Sequence, residues 1–422
     1  MGRIIKSQSF LKQSLAVAIT AVVMSSAHAA TDQDEIKQLR QEVEALKALI
    51  QSQKQPVQLV EPAAAQPAKA SVALKSKAGA TVDIYGFVRA DAGYQFKGGA
   101  NTFNHINNVD LQKSQNNEDK LYATAKATRI GLDFKAPVEG ADVGGKIEID
   151  FAGTSDDSNA VRIRQAYVTY NKWLFGQTTS TFVSADTQPE FLDFGSPLGI
   201  GTYRTPAVRF ADKFDDNTRY FVALEKGANT NRLPALTGKV THSFADKAGL
   251  LTGRALVQEV RARGVSGISS TDPRFDDTEW GWGLAAGLNF KPTSQLTLNA
   301  DYSHVKGDTN FILYTSGSNN PAAISANSNG RDVDLNEFNA VSLGATYKLT
   351  PKVRSTLGFG GVYFDDAKGN QNDKLQQGWL NVMYNPVKPI TFGAEYVYGE
   401  RETAAKEIGR DSRLGFLAKY DF

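Results

Sequence analysis

The chain has 422 residues, and its 47 lysines and arginines nearly balance its 45 aspartates and glutamates. Three of the positive charges belong to a predicted leader, so the rest of the chain is close to neutral, which excludes the strongly basic balance typical of nucleic-acid binding. Cysteine is absent and the four histidines lack metal-ligand spacing, so we expect no metal site and no cofactor.

The first 29 residues have the pattern of a secretory signal peptide. Three basic residues, Arg3, Lys6 and Lys12, precede or border an apolar run over 15–24, and an A-x-A cleavage site follows at 27–29. The alternative is a single membrane anchor, but the apolar run is too short to cross a bilayer. The sequence therefore predicts export from the cytoplasm.

Residues 30–55 predict a short periplasmic α-helical coiled coil. Apolar residues recur there at spacings of three and four, the pattern of a coiled-coil seam, and they are Ile36, Leu39, Val43, Leu46 and Ile50. Three heptads are too few to hold an isolated helix in water, so self-association is the natural use. The alternative is a lone amphipathic helix that lies on another surface. Residues 56–80, rich in Ala and Pro, predict an extended linker.

Residues 81–422 predict an all-β domain, an antiparallel transmembrane β-barrel. Apolar and polar residues alternate along each segment, as in Leu296, Leu298 and Ala300 against Asn299 and Asp301. Such segments suit tilted strands that cross a membrane, whereas no segment beyond the leader is apolar enough for a transmembrane helix. We count sixteen strands, near 81–97, 119–136, 141–152, 159–171, 172–178, 204–213, 217–227, 231–246, 249–264, 276–291, 294–308, 335–350, 352–366, 372–386, 389–403 and 408–422.

Short and long connections alternate along this domain, as they do in outer-membrane barrels, whose long loops lie outside the cell. An even number of strands lets the first and last strands pair antiparallel and leaves no open edge in the lipid. The chain ends in an alternating apolar strand with a terminal Phe422, an ending that we expect the barrel-assembly machinery to recognise. These features predict the outer membrane of a Gram-negative bacterium.

The alternation also predicts which charges face the lumen. Residues between outward apolar neighbours point inward, and on the first, second and fourth strands these include Arg89, Arg129, Arg162 and Arg164. Arginine stays charged and binds carboxylates with a planar fork, so such a wall attracts small anionic solutes. Arg204 and Arg209, at the sixth strand, are further candidates. The alternative is that the arginines pair with Glu148, Asp150 and Asp133 and only stabilise the wall.

Four short motifs resemble the general trimeric porins of Gram-negative bacteria. They lie on the first, second, fourth and fifth predicted strands, at Asp83-Ile84-Tyr85-Gly86, Thr128-Arg129-Ile130-Gly131-Leu132, Arg164-Gln165-Ala166-Tyr167-Val168 and Leu174-Phe175-Gly176-Gln177. Each motif is weak alone, but together they span the barrel. In this resemblance Arg129 and Arg164 match the wall arginines of the family.

The long segment after the fifth strand is similar to the third loop of those porins, which folds into the barrel and narrows the pore. It contains Pro189-Glu190-Phe191 and ends at Gly201-Thr202-Tyr203-Arg204. The resemblance implies an inward-folded constriction loop. Its acidic residues, Asp186, Glu190 and Asp193, would then face the arginine wall and set up a transverse field. The alternative is that they are ordinary solvated loop carboxylates.

The coiled coil and the Ala/Pro-rich linker depart from general porins and look like the DcaP-type porins of Acinetobacter and relatives. That resemblance implies a homotrimer, a periplasmic N-terminal extension and a preference for negatively charged solutes such as dicarboxylates.

The sequence thus predicts a sixteen-stranded trimeric porin that passes small hydrophilic solutes passively and favours anions. A different function is structural, with the coiled coil and linker contacting peptidoglycan or another partner while the barrel only anchors them. A third is an outer-membrane enzyme, for which the sequence offers no catalytic group.

Overall fold

The computed structural model describes residues 74–100, 102–112, 116–153, 160–228, 231–263, 276–307, 310–315, 320, 323–326 and 333–422. The predicted signal peptide, the predicted coiled coil with its five seam residues, and linker residues 56–73 lie outside these ranges. Within them, no helix is long and apolar enough to cross a membrane.

The described part of the chain is almost entirely β-strand. Its one helical element is a turn of 3-10 helix, Ile106–Asn108. The strands, numbered in chain order, are β1 Leu74–Lys75, β2 Thr81–Lys97, β3 Lys120–Thr124, β4 Arg129–Ala136, β5 Val143–Asp150, β6 Arg162–Tyr170, β7 Trp173–Thr179, β8 Arg204–Lys213, β9 Thr218–Glu225, β10 Ala235–Phe244, β11 Gly249–Arg263, β12 Asp276–Phe290, β13 Leu296–Lys306, β14 Ala323–Ala326, β15 Val333–Leu335, β16 Glu337–Lys348, β17 Val353–Asp365, β18 Asn372–Tyr384, β19 Ile390–Thr403 and β20 Ile408–Asp421.

Sixteen wall strands form a closed antiparallel barrel, which confirms the predicted fold. β3 and β4 count as one wall strand because both pair with β2. Pairing then runs in chain order to β13, continues from β13 to β16, and ends at β20. The barrel closes where β2 pairs with β20, from Phe87 opposite Asp421 to Lys97 opposite Ser412. Every wall strand therefore has two partners and no edge faces lipid.

The predicted second strand, 119–136, is interrupted between Thr124 and Arg129. The hydroxyl of Thr128 accepts a hydrogen bond from the backbone N–H of Arg89 at 3.1 Å and lies 3.3 Å from the Arg89 carbonyl oxygen. The backbone N–H of Thr128 donates to the carbonyl of Ala125 in a tight turn, at 3.0 Å. Side-chain hydrogen bonds of this kind compete with the sheet ladder, and a period-two pattern does not report them.

Large apolar side chains cover the outer face of the wall. On β12, Trp280, Trp282 and Leu284 are exposed, whereas Gly281 and Gly283 between them are buried toward the lumen. The wall is taller on one side, because β11–β13 and β16–β20 have 11 to 15 residues and β4–β10 have 7 to 10. The taller strands are long enough to cross the hydrocarbon layer at a tilt.

The end of the predicted linker forms a hairpin. Leu74 and Lys75 of β1 pair with Val82 and Thr81 at the start of β2. β2 begins at Thr81, but its pairing with β20 begins only at Phe87. The start of β2 therefore has a free edge on that side, and β1 pairs there. The hairpin extends the sheet beyond the start predicted at 81.

The buried apolar core lies inside the barrel. It brings loop residues Phe182, Leu198 and Phe311 together with wall residues Phe338 and Val362. A sandwich encloses its core between two sheets. Here a single closed sheet encloses a core that its own loops supply.

Candidate pore and constriction loop

Residues 180–203 join β7 to β8 and fold into the barrel, and they are termed the constriction loop. Phe182, Leu192, Leu198 and Ile200 are each at most 2% exposed. Apolar side chains on an outward loop would be left in water. The inward fold predicted from the resemblance is therefore confirmed.

The start of the constriction loop is held by Glu225 of β9. The Glu225 carboxylate accepts from the Ser180 hydroxyl at 2.7 Å, from the Thr181 backbone N–H at 2.6 Å and from the Thr237 hydroxyl of β10 at 2.8 Å. Glu225 is fully buried, and a buried carboxylate needs such donors in place of water. These contacts fix the direction in which the loop leaves β7.

The next part of the loop is docked on Asp301 of β13. One carboxylate oxygen accepts from the Thr187 hydroxyl at 2.6 Å, and the other from Arg254 of β11 at 2.6 Å. Arg254 also donates to the carbonyl of Phe182 at 3.1 Å. This buried ion pair is thus shared between the wall and the loop.

The middle of the loop is bound to β17 and β18 at Glu190. Its carboxylate pairs with Arg354, whose Nη2 lies 2.6 Å from Oε1. Its backbone carbonyl accepts from the Trp379 indole N–H at 3.0 Å and from the Asn381 amide at 3.2 Å. Both the side chain and the backbone carbonyl of Glu190 are therefore bonded to the wall.

The following loop residues are held by β19, β20 and β2. The backbone N–H groups of Leu192 and Asp193 donate to the Glu395 carboxylate, at 2.7 and 2.9 Å. The Asp193 carboxylate pairs with Arg413 at 2.7 Å. Arg89 donates to the carbonyl of Leu192 at 2.6 Å. Leu192 and Asp193 are thus bonded to three strands of the wall.

Two glycines let the loop backbone touch the wall. Gly199 has a φ of +79°, and a Cβ there would lie 2.0 Å from the carbonyl oxygen of Val341 on β16. On β17, a Cβ at Gly360 would lie 2.2 Å from the carbonyl oxygen of Leu198. At Gly199 only glycine tolerates the positive φ and the close approach together, and at Gly360 the close approach alone requires it.

A second segment, 310–315, lies against the constriction loop. The backbone N–H of Leu313 donates to the carbonyl of Ile200 at 2.8 Å, and the Tyr314 hydroxyl donates to the carbonyl of Phe194 at 3.0 Å. Burial raises the pKa of the Tyr314 hydroxyl, so this group keeps its proton and remains a donor at neutral pH. The segment thus adds two hydrogen bonds that help to hold the constriction loop.

Four arginines gather on the wall formed by β4, β6 and β8, and we term them the wall cluster: Arg129, Arg162, Arg164 and Arg204. Glu148 pairs with Arg164 at 2.9 Å and lies 3.6 Å from Arg129. Asp150 pairs with Arg162 and Arg164, both at 2.7 Å. The pairing considered as an alternative is therefore present, but two carboxylates against four guanidinium groups leave a net positive charge.

Arg204 belongs to this cluster by position. The charges that act on it most strongly are those of Arg164, Arg162 and Arg129. Its parity with the exposed Val208 would place it on the outer face. Arg204 is, however, the first residue of β8 and directly follows the constriction loop, which returns from inside the barrel, so its side chain departs from the parity of the strand.

A β-bulge aims two consecutive side chains of β6 inward. The pairing of β5 with β6 shifts between Glu148 and Ile149, which leaves Arg164 without an opposite residue. Arg164 reaches Glu148, while Gln165 stands opposite Glu148 and accepts from the Thr178 hydroxyl at 3.1 Å. Bulges commonly re-aim a side chain in this way.

Two other charges considered in the sequence analysis lie away from the wall cluster. Arg89 is 5% exposed beneath the constriction loop and pairs with Asp91 at 2.6 Å. It therefore holds the loop instead of facing the open lumen. Asp133, considered as a partner of the arginines, pairs with Lys146 at 3.0 Å.

The three loop acids have different surroundings. Glu190 and Asp193 are ion-paired to the wall, at Arg354 and Arg413. Asp186 is exposed, and its charge acts on Lys239 of β10. Of the three loop acids, Glu190 and Asp193 thus attach the loop to the wall, and Asp186 alone is an exposed carboxylate.

The chain matches the family model of the DcaP outer membrane protein over residues 17–422. It belongs to the DcaP family. The outer membrane channel DcaP of Acinetobacter baumannii is 43% identical in sequence, with a TM-score of 0.75, over 83% of this chain and 99% of that chain. The relatives are thus outer-membrane channels, not enzymes. A comparison with curated protein sequences found no significant match.

More distant structures share the fold of this DcaP-family chain. OmpT of Vibrio cholerae is 14% identical with a TM-score of 0.55, over 83% of this chain and 100% of that chain. An anion-selective porin from Comamonas acidovorans is 10% identical with a TM-score of 0.54, over 81% of this chain and 100% of that chain. At these identities the likeness shows the barrel fold alone.

Several lumenal cations of this DcaP-family channel escaped the sequence analysis, namely Arg219, Lys239, Arg254, Arg354 and Arg413. A signal for some of them was present, because Lys239 precedes the outward Val240 and parity would have placed it inside. No such signal connected Arg354 with Glu190 or Arg413 with Asp193, because the two acids lie in a loop that is distant in sequence from both arginines.

Proposed function

We propose that this DcaP-family channel passes small hydrophilic solutes by passive diffusion and prefers anions, dicarboxylates among them. The observation that carries the proposal is the wall cluster, which keeps a net positive charge after pairing with Glu148 and Asp150. Guanidinium forks bind carboxylates two bonds at a time. Fixed positive charge in a narrow pore raises the local concentration of anions.

The docking of the constriction loop supports this proposal. The hydrogen bonds described above attach the loop to β9, β11, β13, β17–β20 and β2, which leaves the wall cluster on the opposite side. A solute that passes the loop therefore moves along the arginines. Because Arg354 and Arg413 neutralise Glu190 and Asp193, the transverse field expected from three loop acids depends mainly on Asp186.

Reversal potentials in a planar bilayer under a KCl gradient test the anion preference. Arg204→Gln is the sharpest variant, because Glu148 and Asp150 form their ion pairs with the other three arginines. We expect an anion-selective wild-type channel and a chloride-to-potassium permeability ratio lowered roughly twofold in the variant. Arg204→Lys, which keeps the charge, is the control. A cation-selective wild-type channel contradicts the proposal.

We further infer a homotrimer in outer-membrane lipid. One OmpT structure from Vibrio cholerae is described as a trimer form, and at 15% identity it shares the fold only. The low wall of β4–β10 supports the inference, because a wall buried between subunits need not span the lipid. Mass measurement of the detergent-solubilised channel tests it, and a monomeric mass contradicts it.

A second candidate function is a structural tether in the periplasm. It is favoured by the heptad seam over 30–55, which suits self-association or contact with peptidoglycan. Deleting 32–73 removes the seam and keeps the β1–β2 hairpin. Unchanged solute flux with a weakened envelope supports the tether, whereas reduced flux with an intact envelope supports a role of the extension in the channel itself.

A further inference from the structure

A second set of lumenal cations surrounds one aromatic ring and is termed the exit cluster. The side chains of Arg209 of β8, Arg219 of β9 and Lys239 of β10 lie 5.8, 6.0 and 5.0 Å from the ring centroid of Phe221. Lys239 is also the direct cross-strand partner of Phe221. Three neighbouring strands thus each contribute one cation to the same point.

The ring of Phe221 faces the lumen near the short-turn end of the barrel. Val222 and Leu224 are exposed on the outer face, whereas Ala223 and Glu225 are buried. Phe221 shares the parity of the buried pair. It lies in the fourth position of β9, which begins after the short turn from β8. Short turns lie on the periplasmic side of outer-membrane barrels, so the cluster belongs to the periplasmic mouth.

No ion pair joins the exit cluster to an acid among the described residues, although the charge of the exposed Asp186 in the constriction loop acts on Lys239. The Nζ of Lys239 reaches the carbonyl of Val183 at 3.5 Å, a long contact. Lys239 also stands directly opposite Arg254 of β11, whose own charge is matched by Asp301. Two like charges directly opposite each other destabilise a sheet.

Neither the aromatic ring nor the nearest buried acid removes this excess. The face of Phe221 attracts cations but carries no net charge to neutralise them. Glu225 already accepts hydrogen bonds from Ser180, Thr181 and Thr237. Three positive groups therefore converge near a single exposed carboxylate, Asp186, so the cluster keeps a net positive charge that a bound anion would balance.

The exit cluster is separate from the wall cluster. Arg204 and Arg209 are five residues apart on β8, or about 16 Å along a strand. That separation is about twice the Debye length at physiological ionic strength, roughly 8 Å. An anion therefore meets two distinct positive regions along its path.

We propose that the exit cluster is a second anion-binding site, at the periplasmic mouth, for small carboxylates. The inference rests on the proposed anion preference. A carboxylate that leaves the wall cluster is received at Arg209 and passes Lys239 and Arg219 before it reaches the periplasm. The same site gives the channel its affinity for carboxylates that arrive from the periplasmic side.

Succinate block of the chloride current, measured from each side of a planar bilayer, tests the proposal. The orientation is assigned with a Cys at the exposed short-turn residue Asp216, because the chain has no cysteine of its own. In a triple variant with Arg209→Gln, Arg219→Gln and Lys239→Gln, we expect half-block from the short-turn side to need roughly tenfold more succinate. Lys291→Gln, at the exposed turn after β12, removes one charge at the same end of the barrel outside the exit cluster and is the control.

The outcomes separate this proposal from the proposed function. If Arg204→Gln changes selectivity and the triple variant leaves block unchanged, the exit site is refuted and the anion preference stands. If the wild-type channel is cation-selective, the anion preference itself fails and the exit site fails with it. A loss confined to block from the short-turn side supports the exit site.

A single-residue experiment covers the case in which the triple variant does not fold. In Lys239→Cys, Arg209 and Arg219 still surround the thiol. We expect an anionic methanethiosulfonate reagent to react roughly tenfold faster than a cationic one, because the local potential attracts anions. Lys291→Cys should show a ratio near unity. Equal rates at Lys239→Cys, or a faster cationic reagent, overturn the proposal.

Discussion

Glu190 of the constriction loop and Arg354 of β17 form a forked ion pair, with Nη2 2.6 Å from Oε1 and Nε 2.8 Å from Oε2. Their side chains are 30% and 29% exposed, so the pair lies at the border of the aqueous lumen. The loop is thus positioned by charges that the wall supplies, and removing one of them should change the pore before it unfolds the barrel.

The first prediction concerns this pair. Arg354→Met should increase the open-channel current noise, because the loop middle then keeps only its bonds to Trp379 and Asn381. Partly exposed pairs contribute little, so the free energy of unfolding should fall by about 1 kcal/mol or less. Single-channel recording and denaturant titration check both effects. Adding Glu190→Gln should change little further, and a fully additive loss of stability contradicts the pairing.

The second prediction concerns Glu395, the buried acceptor of the loop. Glu395→Ala leaves the N–H groups of Leu192 and Asp193 and the hydroxyl of Ser196 without their acceptor. Each unsatisfied buried donor costs about 1–3 kcal/mol, so the urea midpoint should fall clearly and the conductance should change. Glu400→Ala, on the same strand at an exposed pair, is the control. Equal effects of the two substitutions would argue against docking at Glu395.

The third prediction separates backbone strain from close contact. Gly199→Ala should displace the constriction loop, because its Cβ meets the carbonyl oxygen of Val341 at 2.0 Å and its φ is +79°. Gly140→Ala has a similar φ of +73° with no atom within 4 Å of the new Cβ. We expect an altered conductance only for Gly199→Ala, whereas the modest strain at φ > 0 is common to both. An unchanged conductance in Gly199→Ala would show that the loop is not seated there.

The fourth prediction concerns the C-terminal residue. Phe422 exchanges backbone hydrogen bonds with Gly86 of β2, at 3.0 and 3.2 Å, and its side chain is exposed. If the barrel-assembly machinery recognises this ring, Phe422→Ala should lower the amount of assembled channel in the outer membrane. Refolding of the variant into detergent should be unchanged, because the backbone bonds remain. Tyr420→Ala, also exposed, is the control, and equal losses for both would contradict a specific recognition of Phe422.

Strand parity agrees with the position of some wall arginines in the structure and differs from that of others. Arg129 and Arg162, the first residues of β4 and β6, follow the alternation and lie beside Glu148 and Asp150. Arg204 has the parity of an outward residue, yet its charge interacts with those of the rest of the wall cluster, at the point where the constriction loop returns to the wall. Parity is a local rule, and it holds only where the strand is regular.

The sequence by itself determined the fold class, the sixteen strands and membership of an outer-membrane channel family. Alternation, turn spacing and short motifs are local patterns, because each depends only on residues that are close together in the sequence. Only the tertiary structure decided which charges dock the constriction loop and which remain in the lumen. Glu190 with Arg354 and Asp193 with Arg413 join positions 164 and 220 residues apart. Closure of the barrel brings these residues together. Their charges neutralise each other only in the closed barrel, so the net charge of the pore depends on the tertiary structure.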